Sequence, residues 1–188
     1  MDNAETEILE AMGLDVGDCV LLDSSAVIGY VEGTGRTKET MDAVVGATTW
    51  GGLKLRASAV AWTELLRAAL TADTSLAYRR FLSDSTRIVI VPVDVAVAYA
   101  ASGMLAAFDR RSGQDGTKRT AESRAFFADA IHLASAVVGR CKAVLTNDRE
   151  WKDAAPPSLR VIVLDELAAA YSLSRLQHVV GPDNREQS

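Results

Sequence analysis

Five short apolar runs, each followed by a longer stretch of helical pattern, constrain the fold of this 188-residue chain more than any other feature. The runs are Cys19 to Leu22, Leu55 to Val60, Arg87 to Val91, Lys142 to Thr146 and Arg160 to Leu164. They read as parallel strands buried on both faces, because they are short, nearly continuously apolar and rich in valine, leucine and isoleucine. Helical patterns fall between and after them, at about Ser24 to Val31, Lys38 to Ala47, Thr63 to Leu82, Asp94 to Arg110, Ser123 to Gly139 and Asp165 to His178. Strands alternating with helices of this length imply right-handed crossovers and a mostly parallel sheet covered on both faces. The fold class is therefore α/β, a three-layer α/β/α sandwich around a five-stranded sheet.

The domain organisation is simple. No internal repeat or Pro/Gly/Ser-rich linker divides the chain, and 188 residues with 48% hydrophobic content suit one core. Residues 1–18 form an acidic leader, either a short helix or a disordered tail, residues 19–178 form the domain, and residues 179–188 form a polar tail. Arg111 to Thr120 is a polar loop with two glycines, and Gly46 to Gly52 leads into the second strand. No run is long enough to span a bilayer, and the opening MDNAETEILE is acidic where a signal peptide would be basic and then apolar, so a soluble cytoplasmic protein is expected. The only cysteines, Cys19 and Cys141, sit in apolar contexts that suit small buried hydrophobes better than a disulfide framework or a zinc site.

In an open parallel sheet, ligands gather beyond the carboxyl ends of the strands, so acids just after strands carry the functional question. Asp23 follows the first strand and precedes SSAVI, where an Asp also serves as a helix cap. Asp148 follows AVLT in LTNDREW, where an Asn-Asp pair also suits a tight turn. Glu64, in AVAWTELLRAAL, is placed in the first turn of a helix starting near Trp62 or Thr63, which favours an acid through the helix dipole. Asp129 is the most informative. Its segment, AFFADAIHLASAVV, is nearly all apolar, and its polar side chains Asp129, His132 and Ser135 recur every three residues as one stripe. A carboxylate on such a helix is costly unless paired, metal-bound or facing a wet cleft. His132 reads as a hydrogen-bonded core residue lining that stripe, not as a ligand or base.

Four acids without a Cys or His partner set form a hard, all-oxygen donor group, which points to Mg²⁺ or Mn²⁺, one or two ions, and to phosphate chemistry. The net charge of -5 argues against a nucleic-acid partner unless such cations offset it. Arg110, Arg111, Lys118, Arg119 and Arg124 crowd one stretch and are read as solvated surface or as an RNA-facing cluster.

The ordered segments DSSAVI, AVAWTELL, ADAIHLASA and LTNDREW resemble the PIN-domain nucleases, in particular the VapC-type toxins of bacterial toxin–antitoxin pairs, over about Val20 to Leu164. The resemblance implies a metal-dependent endoribonuclease with metal held by Asp23, Glu64, Asp129 and Asp148. Ser25 matches a small hydroxyl residue that often follows the first acid, Thr146 the threonine ending the later strand, and Trp151 a position commonly held by phenylalanine. Asn147, beside Asp148, leaves open which of the two faces the metal; the Thr-x-Asp spacing favours Asp148. The resemblance further implies an RNA substrate, a homodimer and a small antitoxin protein whose C-terminal segment covers the site. Two alternatives remain: an aspartyl phosphoryl-transfer domain, which the Ser-Ser after Asp23 fits less well, and a non-catalytic RNA-binding or interaction module.

Overall fold

The computed structural model describes residues 3–111 and 121–179, with side chains over 6–106 and 127–175. Its elements run α1 (Asn3–Met12), β1 (Asp18–Leu22), α2 (Ser24–Val31), α3 (Gly35–Gly46), β2 (Leu53–Ser58), α4 (Ala59–Ala68), α5 (Ala72–Ser83), β3 (Ile88–Val91), α6 (Val95–Arg111), α7 (Ala121–Val138), β4 (Ala143–Thr146), α8 (Trp151–Ala154), β5 (Arg160–Val163) and α9 (Leu164–Val179). The five strands form one sheet in the order β3-β2-β1-β4-β5, and every pairing is parallel. The expected three-layer α/β/α architecture is the one observed.

The two-residue period of a strand sorts β1 between two cores. Val20 and Leu22 join a cluster with Ile8 of α1, Met41 of α3, Leu65 of α4, Tyr78 of α5 and Leu164 of α9. Cys19 and Leu21 face the other layer, with Val97 of α6, Leu133 of α7 and Trp151 of α8. Leu53, Leu55 and Ala57 of β2 take the first side. Burial on both faces explains the unbroken apolar runs. On the first side α2 packs so closely that a Cβ on Gly29 would lie 2.8 Å from a Leu164 methyl and 3.3 Å from that of Thr37.

Two sequence expectations change and one open alternative is resolved. The second strand ends at Ser58, not Val60, because the Ser58 hydroxyl accepts the Val60 N–H at 3.2 Å and starts α4 at Ala59. The single helix expected from Thr63 to Leu82 is two, α4 and α5. Ala69 leaves the helical region (ψ 117°), and Thr71 caps the new helix, its hydroxyl accepting the Thr74 N–H at 3.1 Å. The acidic opening segment, open between helix and tail, is α1; Ile8, Leu9 and Met12 are buried in the larger core. Lys118, Arg119 and the tail 180–188 lie outside the described residues, as do the side chains of Arg110, Arg111 and Arg124.

Candidate active site

The strand order places a switch point at β1: β2 and β3 extend the sheet on one side, β4 and β5 on the other. The crevice beyond the carboxyl ends of β1 and β4 is where such a sheet admits a ligand. Asp23 stands at that point. Its backbone N–H continues the sheet by bonding Leu145 C=O at 3.0 Å, and its side chain caps α2, Oδ1 accepting the Ser24 N–H at 2.7 Å. Oδ2 accepts the Ser25 hydroxyl at 2.8 Å and the Thr146 hydroxyl at 3.0 Å. The helix-cap reading and the site reading of Asp23 thus hold together.

Ser25 and Thr146 tie the two strand ends to each other as well as to Asp23. Ser25 Oγ accepts the Asn147 N–H at 2.9 Å, and the fully buried Thr146 Oγ1 accepts the Asp148 N–H at 3.0 Å. Asn147 therefore enters this network through its backbone, with the residue itself exposed. Asp148 makes the turn its sequence suggests, Oδ1 accepting the Glu150 N–H at 2.8 Å, and is still close enough to act electrostatically on Asp129.

Glu64 comes from the second turn of α4, since that helix starts at Ala59; the dipole argument for a first-turn acid is thereby withdrawn. Its Oε2 accepts the Ser24 hydroxyl at 2.7 Å and bonds His132 Nε2 at 2.9 Å. The His132 bond, ahead of the opposing effect of burial, and the Ser24 bond leave the Glu64 carboxyl below its usual range. His132 is almost fully buried, with Nε2 also 3.9 Å from Asp23 Oδ1. Burial pushes its ring toward the neutral form, but the bond to Glu64 and the charges of Asp23, Glu64 and Asp129 together carry its pKa above the ordinary value. The carboxylate assigns a proton to Nε2. Nδ1 is buried without a hydrogen-bond partner, and the Trp151 ring lies 5.9 Å away, centroid to centroid.

Asp129 approaches from mid-α7. Burial, then the charges of Asp23 and Asp148, push its carboxyl up to about 6, with Glu64 adding to the effect and His132 opposing it. Ser135, the third member of the stripe, donates to Ser58 Oγ at 3.2 Å and fastens α7 to the end of β2.

Carboxylate oxygens of Asp23 and Glu64 and a ring nitrogen of His132 lie within 4.8 Å of one another; with Nε2 carrying the proton shared with Glu64, the two carboxylates are the atoms a cation could share. The structure thus brings Asp23 and Glu64 into one cluster and sets Asp129 and Asp148 within its electrostatic reach. Two members escape sequence reasoning: Ser24, which bonds both Asp23 Oδ1 (3.2 Å) and Glu64, and His132 as a partner of Glu64. The three-residue stripe signals His132, whereas nothing local ties Ser24 to an acid forty positions away.

A parallel α/β fold with carboxylates gathered at its central switch point defines a class of small single-sheet domains with a polar site at one rim. The chain belongs to the PIN domain family, whose model matches residues 20–156. No curated protein matches the sequence. Solved structures share the fold at low identity. A chain of VapBC2 from Rickettsia felis, bound to a promoter DNA fragment, has a TM-score of 0.54 at 13% identity, covering 77% of this chain and 98% of that one. VapBC-1 from nontypeable Haemophilus influenzae gives 0.52 at 11%, with 78% and 98% covered. A toxin–antitoxin complex from Klebsiella pneumoniae gives 0.51 at 19%, with 77% and 97% covered.

Proposed function

We propose that this protein is a metal-dependent endoribonuclease of the VapC toxin type, in which Asp23, Glu64, Asp129 and Asp148 hold Mg²⁺ or Mn²⁺. The observation that carries the reading is the convergence of carboxylates at the switch point, where ligand atoms of Asp23 and Glu64 lie within 4.8 Å of each other and, with Asp148, crowd Asp129 enough to push its carboxyl up to about 6. A fold tolerates such crowding where a cation or proton relieves it. The carboxylate donor set fits hard divalent ions, and His132 stands beside it as a hydrogen-bond partner of Glu64. When bound, the cation supplies Lewis-acid polarisation of a phosphate and makes water more acidic.

The chain's own groups prepare that chemistry. Ser24, Ser25 and Thr146 fix Asp23 so that its carboxylate does not turn away, and the hydroxyls of Ser25 and Thr146 also tie the end of β1 to the end of β4. Ser24 and His132 hold Glu64 against the acids it would otherwise repel. Asp129 sheds its proton only near neutrality and gains most from a nearby positive charge.

The test is cleavage of a defined RNA with Mg²⁺ or Mn²⁺ and with chelator. Metal-dependent products with a 3′-hydroxyl and 5′-phosphate are expected; products ending in 2′,3′-cyclic phosphate would mean attack by the ribose hydroxyl and overturn the mechanism. A small antitoxin partner belongs to the same reading, supported by the toxin–antitoxin complex among the fold's relatives, and a homodimer is proposed with it. Val95 and Tyr99 on α6, at 86% and 82% exposure, offer apolar surface for such contacts. Copurification with a neighbouring gene's product tests the partner.

A further inference from the structure

At the rim opposite the acids, the chain's two cysteines meet. Cys19 is the second residue of β1, and Cys141 lies two residues before β4, the strand that pairs with β1. The Lys142 N–H bonds the Cys19 C=O at 2.7 Å, so the backbone at this end already fixes the two segments side by side. The Sγ atoms are 3.0 Å apart, within S–H···S hydrogen-bond distance. Both residues are buried, with exposures of 8% and 7%, so the reagent that reaches them must be small.

The two thiols are not equivalent. The hydrogen bond from Cys141, against the effect of burial and with help from Arg56 and Lys54 on β2, lowers the Cys19 thiol and favours its thiolate. The same contact, with burial, raises Cys141, which keeps its proton. A thiolate beside a protonated thiol has the parts of a two-step oxidation, the first sulfur attacking and the second resolving.

We propose that Cys19 is an oxidation site for hydrogen peroxide, and that Cys141 resolves the product to an intramolecular disulfide joining β1 to the segment that opens β4. Cys19 sulfur attacks a peroxide oxygen, the O–O bond breaks, and the departing hydroxide takes up a proton as water, leaving Cys19 as a sulfenic acid. Cys141 sulfur then attacks Cys19 sulfur and the S–O bond breaks. The leaving hydroxide takes the Cys141 proton as a second water. Two thiols lose two electrons, and one peroxide is reduced. The crosslink closes a loop between residues 122 positions apart, and crosslinks across long loops restrict the unfolded chain most. Its consequence is a stiffer base for the two strands whose far ends carry Asp23 and Asp148, independent of any chemistry those acids perform.

The test uses the full chain, reduced, freed of reductant and exposed to hydrogen peroxide. After denaturation in N-ethylmaleimide, intact mass should show a monomer lacking two hydrogens and carrying no maleimide, with a melting midpoint several degrees above that of the reduced protein. Two maleimide adducts per chain, or a covalent dimer on a non-reducing gel, would overturn the proposal. The order of attack is read with dimedone. Cys141→Ser should be labelled at Cys19, whereas Cys19→Ser should stay unlabelled; equal labelling of both would reject Cys19 as the attacked sulfur. The wild-type mass alone decides the disulfide should either variant fail to fold.

Discussion

Asp23 and Asp129 feel each other's charge from different parts of the fold. Asp23 sits where β1 ends and receives the Ser24 N–H and the hydroxyls of Ser25 and Thr146, all supplied within two residues or by the adjoining strand. Asp129 projects from the middle of α7 into burial and like charge, and its proton is held up to about 6. The end of a strand that becomes a helix offers free donors as a matter of geometry, and mid-helix backbone offers none, since its N–H groups are spent within the helix. A carboxylate at the first place is a structural asset whatever it does chemically. At the second place it is a cost, and its presence asks for a counterion.

The contrast predicts opposite signs for similar substitutions. Asp23→Ala should be the most damaging, because it strands the Thr146 and Ser25 hydroxyls and uncaps α2. A loss of roughly 2 to 4 kcal/mol is expected in urea unfolding, together with loss of cleavage. Asp129→Asn should instead raise the stability of chelator-treated protein, by about 1 to 2 kcal/mol. The full shift to about 6 would correspond to roughly 3, reduced here for partial solvent access. It should also weaken the thermal shift given by Mn²⁺. Destabilisation of Asp129→Asn in chelator with an unchanged response to Mn²⁺ would mean that the two acids play the same structural part.

The pH dependence carries the same opposition. Asp129 has a folded-state value above its unfolded one, so its contribution is fully present below about pH 4 and is lost as pH rises through about 6. Glu64 has a lowered value, so its contribution is present above its unfolded range near 4.5 and is lost as pH falls through its folded value. Melting midpoints of metal-free protein should therefore decline between about pH 4 and 6, and Asp129→Asn should remove that part of the decline, whereas the loss that follows above the ordinary range of His132, whose value is also raised, should persist in the variant. A wild-type curve with no such decline would remove the crowding argument. The smallest effect is expected for Ser24→Ala, which takes one hydroxyl from Glu64 and Asp23 but leaves both backbone and His132 contacts. About 0.5 to 1.5 kcal/mol in the same unfolding assay is in keeping with one hydrogen bond.

The parallel sheet was legible because strands buried on both faces leave unbroken apolar runs, and the crossovers between them permit few topologies. The proposed set of four acids came from their order along the chain, and Asp129 stood out because the helix around it is so apolar. What local pattern could not reveal was how α4 begins and ends. Val60 to Trp62 have strand character, and only the Ser58 hydroxyl, bonded to Val60 N–H and reached by Ser135 from α7, makes Ala59 the helix start. The break before Thr71 was carried by a lone capping threonine in an otherwise helical composition. The roles of Ser24 and His132 depend on α2, α4 and α7 converging, which is a property of tertiary structure.

Helix α1 packs against α9, an element from the other end of the described chain, with Ile8, Leu9 and Met12 sharing a core with Leu164, Leu167 and Tyr171. During synthesis the first of these helices leaves the ribosome long before the last. It must wait with three apolar side chains exposed while the whole sheet is made between them. Closing the larger core is therefore a late event in the life of each molecule, and the newborn chain is most open to chaperones or proteases until α9 arrives.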